Sequence, residues 1–369
     1  MAVGAALAWF CSAIAVAGLI MEIVNLFEFR FLTPRAGEGD VVACVAMRNE
    51  ARNAAACIAS LLRQAEVRAV VICDDGSTDE TPGVLAAIAR ADPRVRIVSP
   101  SAMAGATEIS PKARACAAAA AAAEPIAAAF FFFTDADVRL HGGAVGSMLA
   151  LAAERRVEAV SAWPRVRSRS LWDRLFAPVL MVFLLQALPL RAVRGPDARF
   201  AAGNGQLFLI ERNAYVRSGG HAAVRGYVED VALAHLLRAS GSHISLANAA
   251  GVATVDGYGS LGKNVRGYGR SLYFGCGTAG SLAFAAWQIV GFVLPWLLLP
   301  RAFHAAVSGV IASVIARTLV TRRMRGAPSL QLLESPFGGL LSALCAVSAC
   351  LMGCRGTFTW RGRSMRQPR

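Results

Sequence analysis

The chain has 369 residues, 56% of them hydrophobic and only 17% charged, with a mean hydropathy of +0.48 and a formal net charge of +14. So apolar a composition excludes a disordered chain, and against about 25% charged residues in ordinary soluble domains it argues for a polar domain with membrane segments attached. The positive charge is almost all arginine, Lys112 and Lys263 being the lysines; in an apolar chain this marks the cytoplasmic side of a membrane rather than a nucleic-acid partner.

Residues 1–21 carry no charge, and Arg30, Arg35, Arg48 and Arg52 follow. Residues 1–25 therefore read as an uncleaved transmembrane anchor of an integral membrane protein, with its C-terminal side cytoplasmic. From 38 to 260 strands and helices alternate: strand Val41–Ala46, helix Ala51–Arg63, strand Val67–Cys73, helix Thr81–Ala91, strand Val95–Val98, helix Pro111–Ala123 and strand Ile126–Thr134. That order predicts an α/β domain with a mostly parallel sheet, whose ligands bind at the carboxyl ends of the strands. Leu175–Leu190 is apolar but short and interrupted by Pro178 and Pro189, which suits an interfacial or re-entrant helix, with a buried core helix as the alternative. Residues 261–369 form a membrane region with apolar stretches at Thr278–Pro300, Ala302–Val320 and Ser335–Cys354. Arg317 is placed to snorkel. Arg322, Arg323 and Arg325 mark a cytoplasmic loop, and Arg355, Arg361, Arg363, Arg366 and Arg369 a basic tail. Either that tail departs from the positive-inside rule or Ser335–Cys354 is re-entrant. The nine cysteines include no C-x-x-C pair, so neither zinc nor a disulfide framework is indicated.

Three predicted strands end in acids. Asn49-Glu50 follows the first, Asp74-Asp75-Gly76-Ser77-Thr78-Asp79 the second, and Asp135-Ala136-Asp137 the fourth. Short acceptors after a strand suit ribose hydroxyls or a base edge; an ordinary Asx turn is the plainer reading of the DDGSTD run. Alternate residues on an extended segment face one way, so Asp135 and Asp137 could share a divalent cation, Mg2+ or Mn2+, completed by a diphosphate.

Met47-Arg48-Asn49-Glu50, DDGSTDET and TDAD at this spacing resemble the family 2 inverting glycosyltransferases with a GT-A (Rossmann-like) fold. Gly203-Asn204-Gly205-Gln206, Gly219-Gly220-His221, Val228-Glu229-Asp230-Val231-Ala232-Leu233 and Thr359-Trp360-Arg361-Gly362-Arg363 extend the likeness to the integral-membrane branch that glycosylates lipids, notably carotenoid-acid and hopanoid-associated enzymes. The resemblance implies that Asn49, Glu50, Asp74 and Asp75 line the nucleotide pocket. It implies further that Lys112 lies near the sugar diphosphate, that Asp135 and Asp137 hold the cation, and that Asp230 is the general base with Glu229 beside it. It implies a nucleotide-sugar donor, read as a UDP-sugar, and a lipid acceptor. Gly205, Gln206, His221, Arg266 and Arg270 are candidates for acceptor or diphosphate contacts. His221 reads more readily as a structural histidine, Arg266 and Arg270 equally as lipid head-group contacts, and Trp360 more readily as an interfacial anchor.

Departures bear on the expectation. Met47-Arg48 stands where many members carry proline, Arg270-Ser271 where lysine-asparagine is usual, and the Q/R-x-x-R-W element of processive synthases is not clear, which favours a single transfer. Nucleotidyl transfer is one alternative, though the GNGQ and VEDVAL elements fit it poorly. A non-catalytic membrane scaffold with a sugar-nucleotide-binding domain is another, and the full set of carboxylates counts against it.

Overall fold

The structure, a computed structural model, describes residues 2–100, 110–195, 197–326, 330–360 and 363–364. Of the expected basic tail, Arg361, Gly362, Arg366 and Arg369 lie outside the described residues, as does the side chain of Trp360. The chain divides into a sheet unit, Phe29–Arg165 with Arg191–Val255, and a helical unit that takes Met1–Glu28, Val166–Leu190 and Asp256–Gln367.

The sheet unit is built on strands β1 (Arg30–Phe31), β2 (Val41–Met47), β3 (Val67–Asp74), β4 (Val95–Val98), β5 (Phe130–Asp135), β6 (Val138–Leu140) and β7 (Ala159–Trp163). After β8 (Arg165–Arg167) come β9 (Leu207–Glu211), β10 (Ile244–Asn248) and β11 (Ala253–Asp256). Eight of them form one sheet in the order β1-β10-β7-β9-β5-β2-β3-β4. Neighbours pair in parallel except for β9, which runs antiparallel to both β5 and β7. The central β2 is apolar at every position and almost wholly buried, as a parallel strand covered on both faces requires. Its register pairs Met47 with Asp74 of β3 and Ala46 with Asp135 of β5, so three strand ends reach one edge together. A short β6 pairs antiparallel with β11.

The predicted strand Ile126–Thr134 is shorter than expected: it begins at Phe130 and ends at Asp135. Arg212 explains the late start. Its guanidinium donates to the carbonyls of Glu124, Ile126 and Ala128 at 2.9, 2.6 and 2.8 Å, taking acceptors that a sheet ladder would otherwise need and capping the preceding helix.

In the helical unit four helices, among the described residues, are long and apolar enough to cross a membrane: Val3–Glu28, Leu261–Leu298, Phe303–Arg323 and Gln331–Cys354. The second is broken at Gly277, whose φ of 67° lies in the left-handed region and separates Leu261–Cys276 from the uncharged stretch after it. The first helix is more than an apolar anchor. Asn25 donates to the carbonyls of Leu185 and Leu188 at 2.6 and 2.8 Å, Gln186 donates to the buried Glu22 at 2.8 Å, and Ser12 donates to the Ala305 carbonyl at 2.6 Å.

Leu175–Leu190 does not turn back. It supplies most of one helix, Leu171–Ala187, begun by the Ser170 cap and burying Leu175, Phe176, Val179, Met181, Val182 and Leu185 within the helical unit. Ser335–Cys354 likewise lies within a single helix rather than a re-entrant hairpin. Arg317 does not snorkel. Its side chain is 3% exposed, it donates to the carbonyls of Arg174 and Leu175 at 2.6 and 3.1 Å, and it lies 3.9 Å from Glu334, which also pairs with Arg174 at 2.8 Å. A guanidinium with an acid and two carbonyls within reach has no need of a distant interface.

Candidate active site

At the edge where β2, β3 and β5 end, the loops are stitched together by their polar residues. Asn49 sits at a φ of 54°, a left-handed conformation that asparagine tolerates better than most residues. Its N–H donates to Ser77 Oγ at 2.9 Å and its Oδ1 accepts from the Thr78 N–H at 2.8 Å. The Glu50 N–H donates to Thr81 Oγ1 at 2.8 Å. Asp74 acts as a turn residue, its Oδ1 accepting from the N–H and hydroxyl of Ser77 at 3.0 and 2.6 Å. Asp75 is buried, with Arg114 at 3.5 Å and with Arg48 donating to its backbone carbonyl. Arg139 escaped notice in the sequence: it donates to the carbonyls of Ala136 and Val138 at 2.9 Å each and to Asn53 Oδ1 at 2.8 Å, and Asn53 in turn donates to Glu50 Oε2 at 2.7 Å. This chain of bonds ties the Asp135–Asp137 turn to the Asn49-Glu50 turn.

Asp135 closes β5, but Asp137 lies in the two-residue turn before β6, not on an extended segment. Strand alternation therefore does not bring the two carboxylates together; the tight turn does. Burial, and then the charge on Asp135, push Asp137 up to about 6, and Asp137 Oδ1 is buried without a hydrogen-bond partner. Among the described residues no group of three or more His, Cys, Asp or Glu side chains is arranged to hold a metal. A hard divalent cation here would take Asp135 and Asp137 and draw its remaining oxygens from a ligand, a donor set that the orphaned carboxylate oxygen suits.

The antiparallel β9, unforeseen in the sequence, builds the rest. Its pairing of Leu207 with Thr134 lays Gly205-Gln206 beside the end of β5, where the Thr134 hydroxyl donates to the Gln206 carbonyl at 2.7 Å. The Gln206 side chain accepts from Asn204 at 3.2 Å. The Gly205 N–H donates to Asp230 Oδ2 at 2.7 Å, and the Val231 N–H to Asp230 Oδ1 at 2.9 Å. Glu229 and Asp230 occupy the first turn of helix Glu229–Ala239, where the helix dipole favours acids.

Lys112 joins the two sides. Its Nζ lies 2.7 Å from Asp135 Oδ1 and 2.5 Å from Glu229 Oε1. It sits in the first turn of helix Pro111–Ala123, which Ser110 caps by accepting from the Ala113 N–H at 3.1 Å. A cation there runs against the helix dipole, and surrounding carboxylates compensate. Burial opposes the charge on Lys112, but Asp135, Glu229 and Asp230 outweigh it and hold the ammonium well above the usual lysine range. Burial and the Glu229 charge push Asp230 up to about 6. A Cβ on Gly205 would stand 3.2 Å from both Lys112 Nζ and Glu229 Oε1, so the glycine leaves the room this bridge occupies.

The remaining candidates fall elsewhere. His221 is buried in the sheet unit, its Nδ1 3.0 Å from the Tyr215 hydroxyl, which accepts from the His221 N–H at 3.0 Å, and its ring 4.4 Å from that of Phe133. Burial, and then the Lys112 charge, lower it to about 3; it is a neutral, satisfied core residue. Arg266 and Arg270 lie in the helical unit, on helix Leu261–Gln288.

Residues 42–178 match the model of the family described as Glycosyl transferase family 2. A mannosyltransferase from Pyrobaculum calidifontis, solved in complex with GDP-Man and Mn2+, is similar over 94% of this chain and 99% of its own, with a TM-score of 0.53 and 15% identity. A mycobacterial protein is 18% identical over 65% of this chain and 68% of its own, with a TM-score of 0.37. No curated protein matches the sequence. The fold is thus the expected mixed α/β, GT-A-like, with a mostly parallel central sheet and long apolar helices attached, and the stretch that resembles family 2 glycosyl transferases lies within it.

Proposed function

We propose that the protein is a membrane-bound glycosyltransferase that moves one sugar, with inversion, from a nucleotide-sugar donor to a lipid at the cytoplasmic membrane face. The observation that carries this reading is the cluster Lys112, Asp135 and Glu229, set beside a backbone-anchored Asp230 at the carboxyl edge of the sheet in a family 2 domain. The stitched turns at Asn49, Glu50, Asp74 and Asp75 form the nucleotide pocket. Asp135 and Asp137 would hold a divalent cation, which when bound neutralises charge on the departing nucleoside diphosphate; the similar mannosyltransferase was solved with Mn2+. Asp230 takes the proton of the acceptor hydroxyl as its oxygen bonds to the anomeric carbon, while the bond from that carbon to the diphosphate breaks on the opposite face. Glu229 keeps Lys112 in the cluster, and Gly205 both anchors Asp230 and leaves the space open. Four apolar helices support a lipid acceptor, and Arg266 and Arg270, on helix Leu261–Gln288, would meet anionic head groups. The arginines that follow the first helix support a cytoplasmic catalytic unit.

The test supplies the full chain in detergent with lipid extract, Mn2+ or Mg2+, and UDP- or GDP-sugars in turn, and reads lipid mass and nucleotide product together. A lipid heavier by one sugar, with nucleoside diphosphate released, is expected. Pyrophosphate release, or a polymeric product, would replace the proposal by nucleotidyl transfer or processive synthesis.

A further inference from the structure

Lys112 stands where a cation and a diphosphate would have to meet. A hard cation needs an Asp135 oxygen at about 2.0–2.6 Å, yet the ammonium lies 2.7 Å from Asp135 Oδ1. The two compete for one carboxylate and repel each other at short range. With no other anion present Lys112 is kept at Asp135: its backbone is held in a capped first turn and Glu229 pairs with it at 2.5 Å, while Gly205 leaves the space beside the ammonium free of a side chain. Asp137 Oδ1 meanwhile has no partner, and among the described residues no third metal-ligating side chain completes a site. A diphosphate alters this balance twice over. Its oxygens give Lys112 another anion to pair with, and they supply the cation with the ligands that the protein lacks.

We propose that the Lys112–Asp135–Glu229 bridge is a gate that makes divalent-cation binding conditional on a nucleoside diphosphate. Without the diphosphate, the ammonium occupies Asp135 and stands in for the cation; when the diphosphate arrives, the ammonium moves onto it and Asp135 is released. The gate rests on the donor-site reading above. Its signature is that one residue suppresses one affinity while supporting another, which a purely structural lysine does not do.

The test titrates Mn2+ into the full chain in detergent, following free Mn2+ by electron paramagnetic resonance, alone and with UDP or GDP against protein-free blanks. Lys112→Met and Lys112→Gln should bind Mn2+ alone about tenfold more tightly than the unaltered chain while binding nucleotide more weakly, and Lys112→Arg should keep the suppression. If whichever neutral variant melts as a folded protein binds Mn2+ alone no more tightly than the unaltered chain, the gate is overturned. The double change Asp135→Asn with Asp137→Asn separates the two layers: undiminished binding of Mn2+ with nucleotide would remove the cation site itself, and the donor-site reading with it.

Discussion

Asp230 has both carboxylate oxygens engaged by backbone N–H groups, from Gly205 and Val231, so its orientation is set before a substrate arrives. Because burial and Glu229 raise it to about 6, the carboxyl is protonated below that pH and cannot accept a proton. Transfer measured as kcat/KM should therefore fall about tenfold per pH unit beneath about 6 and level off above it. Asp230→Asn should remove most of the rate and that acid limb together while sparing nucleotide binding; turnover close to that of the unaltered chain would take Asp230 out of the role of base. Gly205 is constrained by its neighbours. An alanine there would put its Cβ 3.2 Å from Lys112 Nζ and Glu229 Oε1 and 3.4 Å from Asp230 Cβ, forcing the bridge apart by a few tenths of an ångström. Gly205→Ala should lower kcat/KM on the order of tenfold with an unchanged melting temperature, so a large loss of stability instead would mean that the glycine serves the fold.

Two elements acquire their meaning from what they pack beside. The short β9 runs against the direction of its neighbours, and by pairing with β5 it delivers Gly205-Gln206 to the cluster. The helix Gln331–Cys354 carries Glu334, which pairs with Arg174 and lies near the buried Arg317 of helix Phe303–Arg323. Removing one member of a buried ion pair leaves the other desolvated and uncompensated. Glu334→Leu should thus cost about 3–5 kcal/mol of stability, read from unfolding in detergent, and adding Arg317→Met should recover more than half of it. A double variant no more stable than the single one would show that the pair is not coupled.

Over the whole molecule the charge is unevenly spread: residues 301–369 hold ten arginines against one acid, Glu334. The excess lies on and around the long apolar helices of this region. Because Ser335–Cys354 lies in one uninterrupted helix, its two ends cannot lie on the same side of a membrane that it crosses once. If each of the three long apolar helices after the sheet unit crosses once, a reporter fused after Arg369 should lie on the opposite side of the membrane from one inserted between residues 32 and 40. Reporters on the same side would mean that one of the three helices lies along the membrane, as the basic tail by itself suggests.

The features legible from residue order are local. Apolar runs bounded by acids marked β2, β3 and the end of β5, the alanine-rich run Pro111–Ala123 marked its helix, and uncharged stretches marked the apolar helices, because strand burial, helix propensity and apolar length depend on residues close together in the chain. The strand-end acids were legible for the same reason, whereas Glu229-Asp230 stood out only through the resemblance of the VEDVAL element. Only the tertiary structure decided which of these side chains meet. Lys112 reaches Asp135 and Glu229, Arg139 reaches Asn53, and Arg317 approaches Glu334, through sheet register and helix packing that join distant segments. His221 shows the limit: its position after Gly219-Gly220 admitted a role near the acceptor, and only Tyr215 and Phe133 closing around it made it part of the core. A local pattern records what a residue can do, whereas its protonation and its partner are set by neighbours that the chain brings in from elsewhere.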